Sequence, residues 1–245
     1  MKLSWEMRLG IILILLSIIV YSIKYLIMGD AQNIFNYLFN SLGYLPLNVL
    51  LVTIILNRLL ANRSKQSRLE KMNIVVGVFF SELGTWLLTY LSDNDPNLCK
   101  LKGDLVRIDQ WSEEEFVRVQ DKFRNHNYSI DIKKIDIKAL STYLSSRRSF
   151  SLRLLENPLL LENERFTNLL RSVFHLTEEL EHRRELAGLP DSDYRHLAGD
   201  IERAYFLLVM EWMAYMRYLN SNYPYLFSLA MRTNPFDENA CVMVK

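Results

Sequence analysis

The sequence predicts an all-α protein in two parts: a hairpin of two transmembrane helices, then a cytoplasmic helical bundle with room for a minor two-stranded ribbon. Three observations carry that reading. Two long apolar runs stand near the N-terminus. A band of Lys and Arg follows the second run. Beyond it, apolar residues recur mostly at three- and four-residue steps. The resulting plan is a hairpin at 1–62 with spans of about 9–28 and 44–60, a helical domain at 63–233 and a flexible tail at 234–245.

The first run, Leu9 to Ile23, carries no charge and continues through Lys24 to Met28. Such a helix is about 30 Å long, the thickness of a bilayer's hydrocarbon core. Lys24 is close enough to the far end to snorkel, and Tyr21 and Tyr25 suit the same interface. The second run is Tyr44 to Leu60, with Pro46 expected in its first turn. Asn48 and Thr53 are polar inside this run, and an Asn there should face another helix rather than lipid. Between the runs, Ile34, Phe35, Leu38, Phe39 and Leu42 share one helical face. That stretch reads equally as an interfacial helix and as an early start of the second span. Arg58, Arg63, Lys65, Arg68 and Lys71 follow, so both termini are expected in the cytoplasm, with membrane lipid as a partner. Gly29, Asp30 and Ala31 make a poor cleavage site, against a signal peptide.

Ser64 to Leu91 reads as one helix, with Val76, Phe79, Phe80, Leu83 and Leu87 on its apolar face. Glu82 at its middle argues against a third span over 73–91 and makes it a candidate buried carboxylate. Asp93-Asn-Asp-Pro96 stops this helix. Residues 104–108 could pair with 128–132 as the ribbon. Between them, Ser112 with Glu115 forms a capping box. Helices are expected over 136–156, 163–186 and 192–220, with Gly188 and Pro190 turning the last two antiparallel. Phe166, Leu169, Leu170, Val173 and Leu180 form a stripe on one, and Leu197, Ile201, Tyr205, Leu208 and Trp212 on the other. Glu211 lies in a stretch that is apolar nearly all round, which makes it the second candidate buried carboxylate.

The chain has 245 residues, a net charge of +1, four His and two Cys. No basic field points to nucleic acid, and Cys99 and Cys241 make neither a disulfide framework nor a zinc pattern. Walker, Rossmann and Gly-x-Ser-x-Gly motifs are absent, which favours binding over catalysis. One constellation could carry chemistry. His175, Glu178, Glu179 and His182 lie on one helical face, and His196 and Asp200 start the next helix. Imidazoles and carboxylates at these spacings suit a divalent metal. The first four sit about 180° from the apolar stripe, which speaks for a solvated face instead.

The stretches Leu154-Leu-Glu-Asn-Pro158, Phe174-His-Leu-Thr-Glu-Glu-Leu180, His196-Leu-Ala-Gly-Asp200 and Asn222-Tyr-Pro-Tyr-Leu226 resemble a group of uncharacterised bacterial membrane-anchored helical proteins. The resemblance implies an inner-membrane location and no particular activity. The expected function is a membrane-anchored interaction or sensing module, homo-oligomeric and with an unknown protein partner, without cofactor. The alternatives are a metal-binding protein or metal-dependent enzyme built on the His/Glu face, and a subunit of an oligomeric channel lined by Asn48 and Thr53.

Overall fold

The computed structural model describes residues 5–29, 31–161 and 163–243. Every regular element among them is helical. The chain divides into two units, Met1–Gln66 and Ser67–Lys245, and the boundary falls inside one helix.

In the first unit, α1 (Trp5–Met28) ends at Gly29, whose φ of +63° is the left-handed conformation that glycine adopts at little cost. α2 (Ala31–Phe79) begins two residues later. The end of α1 meets the start of α2: the Tyr21 and Tyr37 rings lie 6.5 Å apart, and the Lys24 ammonium sits 4.7 Å from the Tyr37 ring centre. Apolar side chains are exposed along both helices, among them Ile14, Leu26, Phe39, Leu51 and Leu60.

Two expectations change here. The interfacial segment and the second run are one continuous helix, with Pro46 in its interior rather than in a first turn. Gly43 lies inside the helix and does not separate them, and the missing Pro46 N–H does not stop a helix whose other backbone bonds close within the segment. The expected pair of spans is also corrected. Among the described residues one helical stretch, Gln32–Asp93, is long and apolar enough, by length and composition, to cross a membrane.

The second unit takes over the end of α2. Val76, Phe79, Phe80, Leu83 and Leu87 are buried, so residues 73–91 belong to a protein core and are no third span. A π turn at Phe80–Gly84 leads into α3 (Thr85–Asp93). Gly77 permits a close approach: a Cβ there would stand 2.6 Å from the Tyr215 hydroxyl. Glu82 is not a buried carboxylate, because it is half exposed and lies 3.3 Å from Arg147.

The expected ribbon is replaced by helix on one side and irregular chain on the other. Residues 104–106 finish α4 (Cys99–Val106), and Ile108–Gln110 is a short 3-10 turn. Tyr128, Ile130 and Ile132 are buried in alternation, but the Ile130 N–H donates to Glu202 at 3.2 Å instead of to a strand. No strand occurs among the described residues. α5 (Glu113–Arg124) starts from the Ser112–Glu115 capping box. The helix expected over 136–156 is broken at Arg147 into α6 (Ile137–Ser146), capped by Asp136, and α7 (Arg148–Leu155). α8 (Pro158–Leu161) is a single turn, and Asn163 caps α9 (Glu164–Glu181) through the Phe166 N–H.

α9 and α10 (Asp191–Asn222) form the centre of the unit. Phe166, Leu169, Leu170, Val173, Leu176 and Leu180 are buried on α9, and Leu197, Ile201, Tyr205, Leu208, Trp212 and Met216 on α10. Each such side chain contributes about 1.5–3 kcal/mol through burial. Gly188, at φ +72°, lies in the turn between them. α11 (Pro224–Arg232) closes the chain against α10. The expected tail is anchored at its head: Phe236 is buried 4.9 Å from Trp212, and the Asn234 side chain donates to the Leu105 carbonyl at 2.9 Å.

Candidate metal centre

His175 and Glu179 stand one turn apart on α9, and His196 and Asp200 one turn apart on α10. The turn through Gly188 lays the two helices antiparallel, so the lower residue of each pair meets the higher residue of the other. His175 Nε2 is 3.8 Å from Glu179 Oε1 and 3.6 Å from Asp200 Oδ2. His196 Nε2 is 3.4 Å from Asp200 Oδ2 and 3.6 Å from Glu179 Oε2. His175, Glu179 and Asp200 offer ligand atoms that all lie within 4.8 Å of one another.

These separations are too long for good hydrogen bonds, whose N···O distances are about 2.7–3.2 Å. They match the spacing of ligands around one ion: bonds of about 2.1 Å in a tetrahedron place neighbouring donors about 3.4 Å apart. Asp200 is the common vertex. Its side chain is 3 % exposed, and Oδ2 accepts no hydrogen bond from any described residue. A buried carboxylate oxygen without a donor costs about 1–3 kcal/mol or more. The two imidazoles are about half exposed, so the cluster opens to solvent on the side opposite Asp200.

Arginines hold one oxygen of each carboxylate, Oδ1 of Asp200 and, on Glu179, the Oε2 that His196 also faces. Arg203 donates to Asp200 Oδ1 at 2.9 Å. Arg183 donates to Glu179 Oε2 at 2.7 Å, and its other nitrogens grip Asp193 at 2.6 and 2.8 Å. The Arg183 hydrogen bond is the first cause that holds the Glu179 carboxyl below its usual range, with both histidines adding to it. Outer groups of this kind fix ligand orientation in metal sites.

Of the six residues expected at a metal site, the structure brings together His175, Glu179, His196 and Asp200. Glu178 turns away, 3.5 Å from Arg148, and the His182 ring bonds the Glu178 carbonyl at 2.7 Å, so neither joins the cluster. Arg183 and Arg203 were missed, although their positions four residues after Glu179 and three after Asp200 are visible in the sequence. Glu211 is buried, and burial pushes its carboxyl up, with Arg165 opposing. Asn48, Thr53, Arg58, Arg63, Lys65 and Arg68 are all exposed on α2.

Comparison with known proteins gives a consistent result. Residues 68–232 match the family model described as uncharacterized protein MJ1433, C-terminal helical domain, and residues 1–60 match that of the MJ1433 N-terminal helical domain. A protein of Methanocaldococcus jannaschii described as uncharacterized protein MJ1433 is 43% identical over 235 residues, covering 96% of this chain and 94% of its own. That relative is archaeal, which corrects the bacterial source implied by the resemblance, and the two family descriptions say helical domain. No solved structure matches the chain.

Proposed function

The chain belongs to the MJ1433 family, with both its N-terminal and its C-terminal helical domain, and on that premise we propose that it is a membrane-anchored protein that binds one divalent metal ion between α9 and α10. His175, Glu179, His196 and Asp200 are the ligands. The observation that carries this reading is the buried Asp200 Oδ2, without a hydrogen-bond donor among the described residues and 3.4 and 3.6 Å from two imidazole nitrogens. Two imidazoles with two carboxylates suit zinc, iron or manganese better than the all-oxygen preference of calcium and magnesium. The ion would supply the positive charge that Oδ2 lacks, and a Lewis acid open to solvent between the half-exposed histidines.

The anchor reading rests on the exposed apolar surface of α2 and on the cations that follow it from Arg58 to Lys71. Those cations favour the side of the membrane that carries anionic headgroups. The geometry adds nothing to the channel-subunit reading beyond the exposure of Asn48 and Thr53.

The test is metal analysis of the detergent-solubilised full chain, followed by calorimetric titration of the chelator-stripped protein with zinc and manganese. One ion per chain, bound at a single site and lost in Asp200→Asn, is expected. A stripped protein that gives no binding with either ion would overturn the proposal.

A further inference from the structure

We propose that a second site, a cavity of about 970 Å³ beside the turn end of α9 and α10, binds a small molecule with an apolar body and an anionic group. The volume lies at the upper end of the range for small-molecule pockets, about 300–1,000 Å³. None of the four proposed metal ligands lines it, so the inference stands apart from the metal reading.

The lining divides into an apolar floor and a donor-rich wall. Ile132, Ile135 and Leu180 are buried, and the Tyr194 ring is half-buried beside them. The wall is one face of α6, where Lys138, Ser141 and Ser145 follow at i, i+3 and i+7. Arg184 adds a guanidinium.

Which charges are already committed decides the ligand's sign. Lys133 donates to Asp191 at 2.9 Å, and Arg183 is taken by Glu179 and Asp193. Glu181 lies 3.0 Å from Arg148, and Asp136 accepts from the Ala139 N–H. Among the described residues that leaves Lys138 and Arg184 as cations without a partner, against Glu185 as the one carboxylate without one, while Asp136 keeps its charge but is turned to the N-terminal turn of α6 that it caps. The Ser141 and Ser145 hydroxyls are likewise uncommitted, whereas Thr142 donates to the Lys138 carbonyl. A lining with spare ammonium, guanidinium and hydroxyl donors selects a ligand rich in acceptors and negative in charge. The floor of isoleucine and leucine then favours an anion that carries an apolar body over a bare one.

Phenyl phosphate is the probe, titrated calorimetrically into the full chain in detergent and metal-free buffer, with inorganic phosphate as the comparison. The expected result is 1:1 binding, tighter for phenyl phosphate than for inorganic phosphate. Lys138→Ala with Arg184→Ala should weaken it at least about tenfold, or about 1.4 kcal/mol. Both residues are exposed, so the double variant keeps the fold, checked by circular dichroism. Ser145→Phe, which narrows the cavity and leaves both cations in place, should also abolish binding. Three outcomes overturn the inference: no binding by the native chain, unchanged affinity in the double variant, or native affinity in Ser145→Phe, which would mean attraction to surface charge alone. Because the buffer holds no metal, each outcome is separate from success or failure of the metal site.

Discussion

Two carboxylates lie buried on α10, Asp200 near its start and Glu211 in its middle, and they keep opposite company. Asp200 has an arginine on one oxygen and two imidazole nitrogens facing the other. Glu211 lies among apolar neighbours with Arg165 as the nearby charge, and burial alone drives its carboxyl towards the neutral form. Burial is therefore common to both and identifies neither as a site. What separates them is convergence: imidazole nitrogens from two helices lie 3.4 and 3.6 Å from one oxygen of Asp200 that accepts no hydrogen bond from any described residue. Neutralisation by a proton suits Glu211, and neutralisation by a cation suits Asp200.

The comparison breaks most visibly if Asp200 is changed. Asp200→Asn keeps the shape and removes the charge, and metal affinity should fall by more than about 100-fold, beyond the loss produced by an outer-shell partner. Glu211→Gln should leave metal affinity unchanged. Equal effects in calorimetric titrations would show that the two carboxylates do not differ as argued. Next in size are the histidines. His175→Ala and His196→Ala should each weaken binding, while His182→Ala, whose ring is turned to the Glu178 carbonyl, should bind like the native chain. A loss in His182→Ala equal to that in His196→Ala would move the centre to the outer face of α9. Arg203→Ala and Arg183→Lys leave every ligand in place and disturb only its orientation, so about 10- to 100-fold weaker binding is expected.

The elements were legible where local chemistry decides them. The Ser112 capping box, the Gly188 turn and the stripes of α9 and α10 are all in the sequence, and the structure uses each. Legibility ended where tertiary partners decide. Residues 128–132 alternate as a strand would, but Glu202 from α10 takes the Ile130 N–H and no strand forms. Pro46 reads as a helix start, yet α2 carries it inside. For the site, the four residues that cluster were among the six expected, but angle on one helix could not divide them. Glu179 and Glu178 are neighbours on the same polar face of α9, and the positions of α10 and α7 send one to His196 and the other to Arg148. Asp200 shows the same limit: its charge suggests exposure, and its burial follows from packing against α9.

The smallest expected effect concerns the pH dependence of Glu211. Its carboxyl titrates above its ordinary value in the folded chain because burial penalises the charge. Below the unfolded value both states hold the proton, and the fold keeps its full stability. As pH rises through the folded value, the native state must ionise a buried group, and that stability is lost. Glu211→Gln removes the proton from the balance without removing the side chain's volume. Its free energy of unfolding should therefore exceed that of the native chain at neutral pH, by on the order of 1 kcal/mol or less, and the two should converge in acid. A native chain whose stability rises with pH over that window, relative to Glu211→Gln, would mean that Arg165 outweighs burial. Glu211 would then be an ion pair rather than a neutral acid, and its contrast with Asp200 would rest on the histidines alone.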